Sequence, residues 1–140
     1  MNSPTKRPSA PNWRRYFTWI ELANGGCPFP FLFRAARNEV EEVELASYPL
    51  GAIPNSVFPA QGIGLEPGDR VVFCSDGLVE SQNVERDFFG YERVQEIIRQ
   101  GCIEDLPSKQ LVDRLLGEVR DFAGDVPQQD DQTVVVVKIL

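Results

Sequence analysis

The sequence predicts an α+β domain, with two helices grouped on one face of a mostly antiparallel sheet. Three observations predict it: strand-type runs come first, two stretches with helical periodicity follow, and a β-branched run closes the chain.

Residues 16–23, YFTWIELA, are aromatic and β-branched with partial alternation, the pattern of a strand. Asn24-Gly25-Gly26 tolerate positive φ and turn the chain. Residues 29–34 read as a second strand and 40–45 as a third, with Glu39, Glu41, Glu42 and Glu44 forming a solvated face among Val40, Val43 and Leu45. Pro49, Pro54 and Pro59 with Gly51 then mark a long irregular connection, which in a small domain is either functional or disordered. Pro67-Gly68 turns the chain into Val71-Val72-Phe73-Cys74, a continuous apolar run of the kind covered on both faces, which ends at Ser75-Asp76-Gly77.

Within 91–100, Val94, Ile97 and Ile98 recur at helical spacing. Pro107 suits a first helical turn, and Leu111, Leu115, Val119 and Phe122, with Val112 and Leu116, form a wide apolar stripe ending near Gly124. After a polar loop, 128–132, residues 133–140 read as another strand of the buried type.

The chain has 140 residues, enough for one ordinary domain. Residues 1–12, with three prolines and two serines, are expected to be a flexible polar lead to a domain over 13–140. No apolar h-region marks a signal peptide there, and no stretch approaches the ~20 apolar residues of a membrane span. With 14 basic and 21 acidic side chains the net charge is −7, which argues against a nucleic-acid partner.

The chain contains no histidine. That removes Ser-His-Asp and Cys-His nucleophile systems, HExxH zinc proteases and imidazole-ligated metals, since each needs an imidazole. Chemistry must then run on carboxylates, hydroxyls, thiols or a metal with oxygen ligands. Cys27, Cys74 and Cys102 are odd in number and lack CxxC spacing, so buried, reduced thiols in a cytoplasmic protein are expected.

Two strand ends carry acids. Asp76 follows the 71–74 run and precedes Gly77, which lets a backbone or ligand come close, while Asp130-Asp131 precede the final strand. Should those two strands be neighbours with these ends together, carboxylates distant in sequence converge, an arrangement suited to hard cations such as Mg²⁺ or Mn²⁺. Taken singly, Ser-Asp-Gly is a common turn and Asp-Asp a common solvated pair.

Four motifs occur in order: Asn24-Gly25-Gly26-Cys27-Pro28-Phe29-Pro30, the segment from Pro67-Gly68-Asp69 through Ser75-Asp76-Gly77 to Glu80, Phe89-Gly90-Tyr91-Glu92-Arg93-Val94, and Gln129-Asp130-Asp131-Gln132-Thr133. Together they resemble the C-terminal half of the metal-dependent (PPM, type-2C) protein phosphatase domain, in its bacterial SpoIIE-like branch of stress-response and sporulation regulators. The resemblance implies an antiparallel β-sandwich flanked by helices, incomplete at the N-terminus, and hydrolysis of phosphoserine or phosphothreonine on a regulatory phosphoprotein. It implies Asp76 and Asp130 as ligands of one Mn²⁺ or Mg²⁺, with Asp131 and Gly77 beside them. Water activated by a binuclear centre would be the nucleophile, so no side chain need serve.

Two departures from that pattern matter. The family's upstream Gly-Asp motif, which bridges two metals, has no counterpart before Trp13, and neither Gly68-Asp69 nor Gly124-Asp125 occupies its place. The turn position often held by histidine is Cys27, with no basic neighbour to make its thiol reactive. Phe89, Tyr91 and Val94 are expected in the core. A sandwich short of strands leaves open edges, so a homodimer that completes the sheets is expected. The rival reading is a catalytically silent remnant that binds a partner such as an anti-sigma-factor antagonist.

Overall fold

The structure, a computed structural model, describes residues 18–140. The expected polar lead, the proposed domain start at Trp13 and the first residues of the 16–23 run lie outside that range. Six strands and three helices follow: β1 (Thr18–Leu22), β2 (Phe31–Arg34), β3 (Glu39–Glu42), β4 (Gln61–Leu65), β5 (Arg70–Cys74), α1 (Asp76–Val79), α2 (Tyr91–Ile103), α3 (Ser108–Ala123) and β6 (Val134–Lys138). One antiparallel sheet has the order β3-β2-β5-β6, and β1 pairs with β4 in a second, two-stranded sheet.

The layering follows from alternation along the central strands. β2 sends Phe31 and Phe33 to the helices and Leu32 to the small sheet; β5 divides Val72 and Cys74 from Val71 in the same way. Between sheet and helices the core contains Leu78, Val94, Ile98, Leu111, Leu115 and Val119, each fully buried. Burial of each such side chain contributes about 1.5–3 kcal/mol, which is why α2 and α3 need no ideal caps. Between the two sheets Leu32 and Val71 meet Ile63, Leu65, Val43 and Leu45. The predicted α+β architecture is therefore present as a helix–sheet–sheet stack.

Three features depart from expectation. β4 was hidden by Gly62 and Gly64, which are poor strand formers. It forms because Trp19 of β1 lies over Gly62, where any Cβ would come within 1.8 Å of the indole. α1 is one helical turn where a plain turn was expected. β6 is an outer strand rather than a buried one: Val135 and Val137 are 48% and 41% exposed, because the two-stranded sheet is narrower than the sheet it covers.

The two ends of the larger sheet differ. In register, Phe31 lies opposite both Glu42 and Val72, and Cys74 lies opposite Val134. The first residue of β2, the last of β3, the last of β5 and the first of β6 thus share one end, here called the near end. The far end is closed by ion pairs. Buried Asp69 accepts from the Ala35 and Glu66 amides, both at 3.0 Å, and from Arg34 Nη1 at 3.1 Å. Fully buried Arg70 donates to the Leu106 carbonyl and to Asp105, whose carboxylate also takes Lys138 Nζ at 2.8 Å. Lys138, with Arg70 behind it, holds the Asp105 carboxyl below the usual carboxylate range.

Replacing Asp69 by Ala strands two backbone donors and removes one of the two carboxylates paired with Arg34, which keeps Glu41 and the Gly64 carbonyl. Its expected cost is about 3 kcal/mol, read as a lower midpoint in chemical denaturation, with an unchanged midpoint counting against this role.

The cysteines divide. Cys74 and Cys102 are buried, and burial pushes their thiols up to about 12 and about 11; Cys27, expected to be buried, is exposed. Iodoacetamide at neutral pH should therefore label Cys27 alone in the native protein and all three thiols in denaturant, as counted by intact mass. Because the folded-state values are raised, stability from these thiols is complete below about 9 and declines as pH rises toward about 12.

Candidate metal site at one sheet end

The near end gathers the acids that the sequence singled out. The pairing of Cys74 with Val134 continues past the strands as hydrogen bonds: the Ser75 amide donates to the Thr133 carbonyl at 2.9 Å, and the Thr133 amide to Ser75 Oγ at 2.9 Å. Ser75 Oγ in turn donates to the Asp131 carbonyl at 3.1 Å. Ser75 was seen in the sequence as part of a motif but given no task. It is the clamp between the two acidic loops.

Gly77 is buried directly behind this clamp. A Cβ there would lie 2.1 Å from the Asp131 carbonyl oxygen, so the chain can pass only without a side chain. Asp76 opens α1 and is exposed, as are Asp130 and Asp131. One oxygen of each flanking acid is used locally: Asp76 Oδ1 accepts the Gly77 amide at 3.0 Å, and Asp130 Oδ1 accepts the Asp131 amide at 2.8 Å. Among the described residues, no Lys or Arg pairs with Asp76, Asp130 or Asp131.

Other features of the near end sharpen its charge. Tyr91, expected in the core, is 43% exposed, with its ring 6.5 Å from that of Phe31. Burial raises the phenol's pKa first, and the neighbouring Glu42, Glu80 and Asp76 carboxylates raise it further. Phe89 and Val94 are buried as expected. The turn before β2 is tied by Asn24, whose Oδ1 accepts the Cys27 amide at 2.8 Å and whose Nδ2 donates to the Cys27 carbonyl at 2.7 Å. Leu50 of the long 43–60 connection donates to the Gly25 carbonyl at 3.2 Å, bringing that loop to the turn.

The donor chemistry fits a hard divalent cation: the offered groups are exposed carboxylates without counter-charge, on two loops that the missing Gly77 side chain allows to meet. They supply part of a shell, since no cluster of three or more acidic, Cys or His side chains able to hold a metal ion occurs among the described residues. No helix of the described residues is long and apolar enough to cross a membrane.

The model of the family described as stage II sporulation protein E (SpoIIE) matches residues 17–140. Among curated proteins, protein IcfG of Synechocystis sp. is 21% identical, over 87% of this chain and 20% of its own length. Among solved structures, the PP2C phosphatase domain of SpoIIE from Bacillus subtilis, with a fragment of its regulatory domain, superposes with a TM-score of 0.69 at 22% identity, covering 86% of this chain and 34% of that one. The SiaA-PP2C domain of Pseudomonas aeruginosa gives 0.65 at 20% identity, over 80% and 43%. The chain thus spans a fifth of its curated relative and roughly a third to two-fifths of these solved chains. The matched family model, covering nearly the whole chain, and the shared architecture lead to one assignment: the chain belongs to the SpoIIE family and has the fold of part of a PP2C phosphatase domain.

Proposed function

We propose that this chain forms the C-terminal part of a metal-dependent phosphatase domain that hydrolyses phosphoserine or phosphothreonine on a regulatory protein of cytoplasmic signalling, such as an anti-sigma-factor antagonist. The observation that carries the reading is the hydrogen-bonded union of the Ser75-Asp76-Gly77 and Asp130-Asp131 loops at the near end. Membership of the SpoIIE family supports it.

In this reading Asp76 and Asp130 hold Mn²⁺ or Mg²⁺, and Asp131 stands beside them. The bound ion supplies Lewis acidity that neutralises phosphoryl charge and activates water for in-line attack. Ser75 fixes the spacing of the two acidic loops through backbone contacts, and Gly77 keeps their approach open. The surrounding carboxylates, Glu42 and Glu80 among them, keep the end anionic, which favours a cation and disfavours a phosphate that arrives without one. A second reading, partner binding without hydrolysis, is favoured by the small number of carboxylates that the two loops offer.

The discriminating assay measures Mn²⁺-dependent release of phosphate from a phosphoserine peptide by the full-length protein. Loss of an outer-shell partner of a metal typically costs 10–100-fold, so Asp76→Asn or Asp130→Asn should lower the rate by about 100-fold or more, with the denaturation midpoint retained. Full activity in either variant refutes the assignment, and no activity in the unsubstituted protein selects the second reading.

Ser75→Ala should act through positioning alone. The Mn²⁺ concentration for half-maximal rate is expected to rise about 10-fold while the rate at saturating Mn²⁺ changes little. A lowered saturating rate at unchanged Mn²⁺ dependence would point to a different role.

A further inference from the structure

Most cations of the described residues are committed. All but three pair with acids, and one of those three, Arg93, is held by the Phe88 and Phe89 carbonyls and stacks 4.6 Å from the Phe122 ring centroid. Arg86 and Arg120 alone make no ion pair or side-chain hydrogen bond among the described residues. Arg120 is exposed in the last turn of α3.

Arg120 also lines a cavity. That cavity, of about 240 Å³, runs between α3 and the loop before β6 and is bounded by Ser81, Gln128 and Gln132. A second cavity, of about 110 Å³, is bounded by Gly77, Phe88 and the acids Glu80 and Asp130, and shares Ser81 and Gln132 with the first. The two form one groove, with Asp130 at one end and an unpaired guanidinium at the other.

We propose that this groove seats an acidic segment of the phosphoprotein adjoining its phosphorylated residue, with Arg120 pairing to a carboxylate of that segment. The proposal rests on the phosphatase reading and names the class of substrate it would select. A segment carrying carboxylates is repelled by the acids of the near end, and by a chain of net charge −7, everywhere except beside an uncommitted cation. A guanidinium accepts a carboxylate in bidentate geometry, which fixes register along the groove as well as adding affinity. Side-chain amides at Gln128 and Gln132 suit the backbone of an extended segment, and Phe88, 57% exposed, offers an apolar contact.

Fluorescence anisotropy with labelled phosphoserine peptides, in EDTA so that metal plays no part, tests the groove apart from catalysis. One peptide carries flanking glutamates and the other lysines at the same positions. The full-length protein should prefer the glutamate peptide, the preference should weaken with salt, and Arg120→Glu should weaken that peptide's binding about 5- to 10-fold. Arg99→Ala, which breaks a pair with Glu96 on α2, should leave it unchanged. Where hydrolysis is observed, Arg120→Glu should raise KM for the glutamate peptide without lowering kcat and leave a small aryl phosphate unaffected. No preference between the peptides, or equal binding by the Arg120→Glu variant, overturns the proposal. Retained glutamate-peptide binding with no hydrolysis under any metal fails the phosphatase reading and leaves the groove assignment standing.

Discussion

The pairing of β5 with β6 is the constraint on which the rest depends. It joins residues 60 to 68 positions apart, and its register decides which loops meet beyond the strands. Because side chains alternate along a strand, a slip of one residue would reverse the helix-facing and sheet-facing sets together, turning Val72 and Cys74 to the small sheet and Val71 and Phe73 to the helices. The buried helices therefore hold the register, and the register holds the loop after β5 against the loop before β6. Closing so long a loop carries an entropic cost that grows only slowly with length. The hydrophobic layer on α2 and α3 is large enough to offset it.

The sheet's two ends have opposite electrostatic characters, and this asymmetry separates stability from function. At the far end every acid of consequence is matched: Asp69 by Arg34 and two amides, Asp105 by Arg70 and Lys138. At the near end Asp76, Asp130 and Asp131 have no counter-charge among the described residues, and Glu42 and Glu80 stand close enough to raise the Tyr91 phenol. Like charges gathered at one end oppose folding in the absence of a cation. Such a local conflict with stability is expected at a functional site.

Much of this was legible in the sequence, and the reasons for the exceptions are physical. Apolar runs with a clear period gave β2, β5, α2 and α3, because burial there sets the pattern directly. β4 was obscured because two of its five residues are glycine, and its stability comes from an indole contributed by another strand. The single turn of α1 was invisible because Asp and Gly are weak helix formers and four residues carry no period. Val134 to Val137 looked buried because composition reports apolarity, whereas exposure depends on how wide the opposing sheet is. The convergence of the two acidic loops was readable as a motif order. Ser75 as their clamp was not, since a serine beside Asp-Gly is ordinary and its task is set by a carbonyl more than fifty residues away.

The clamp also determines how far substitutions at the acids can be interpreted. The loops that carry Asp76 and Asp130 are brought together by backbone groups, by Ser75 Oγ and by the missing Gly77 side chain, while the two carboxylates contribute one local amide contact each. Replacing either carboxylate by its amide keeps that acceptor and leaves the β5–β6 register untouched. Positioning and chemistry thus reside in different atoms of the same loops. A metal bound between these acids would relieve their mutual repulsion and so stabilise the fold, whereas the far-end pairs would be indifferent to it. The far-end pairs and the near-end loops therefore answer to different solution conditions, the former to groups that neutralise their carboxylates and the latter to added cations.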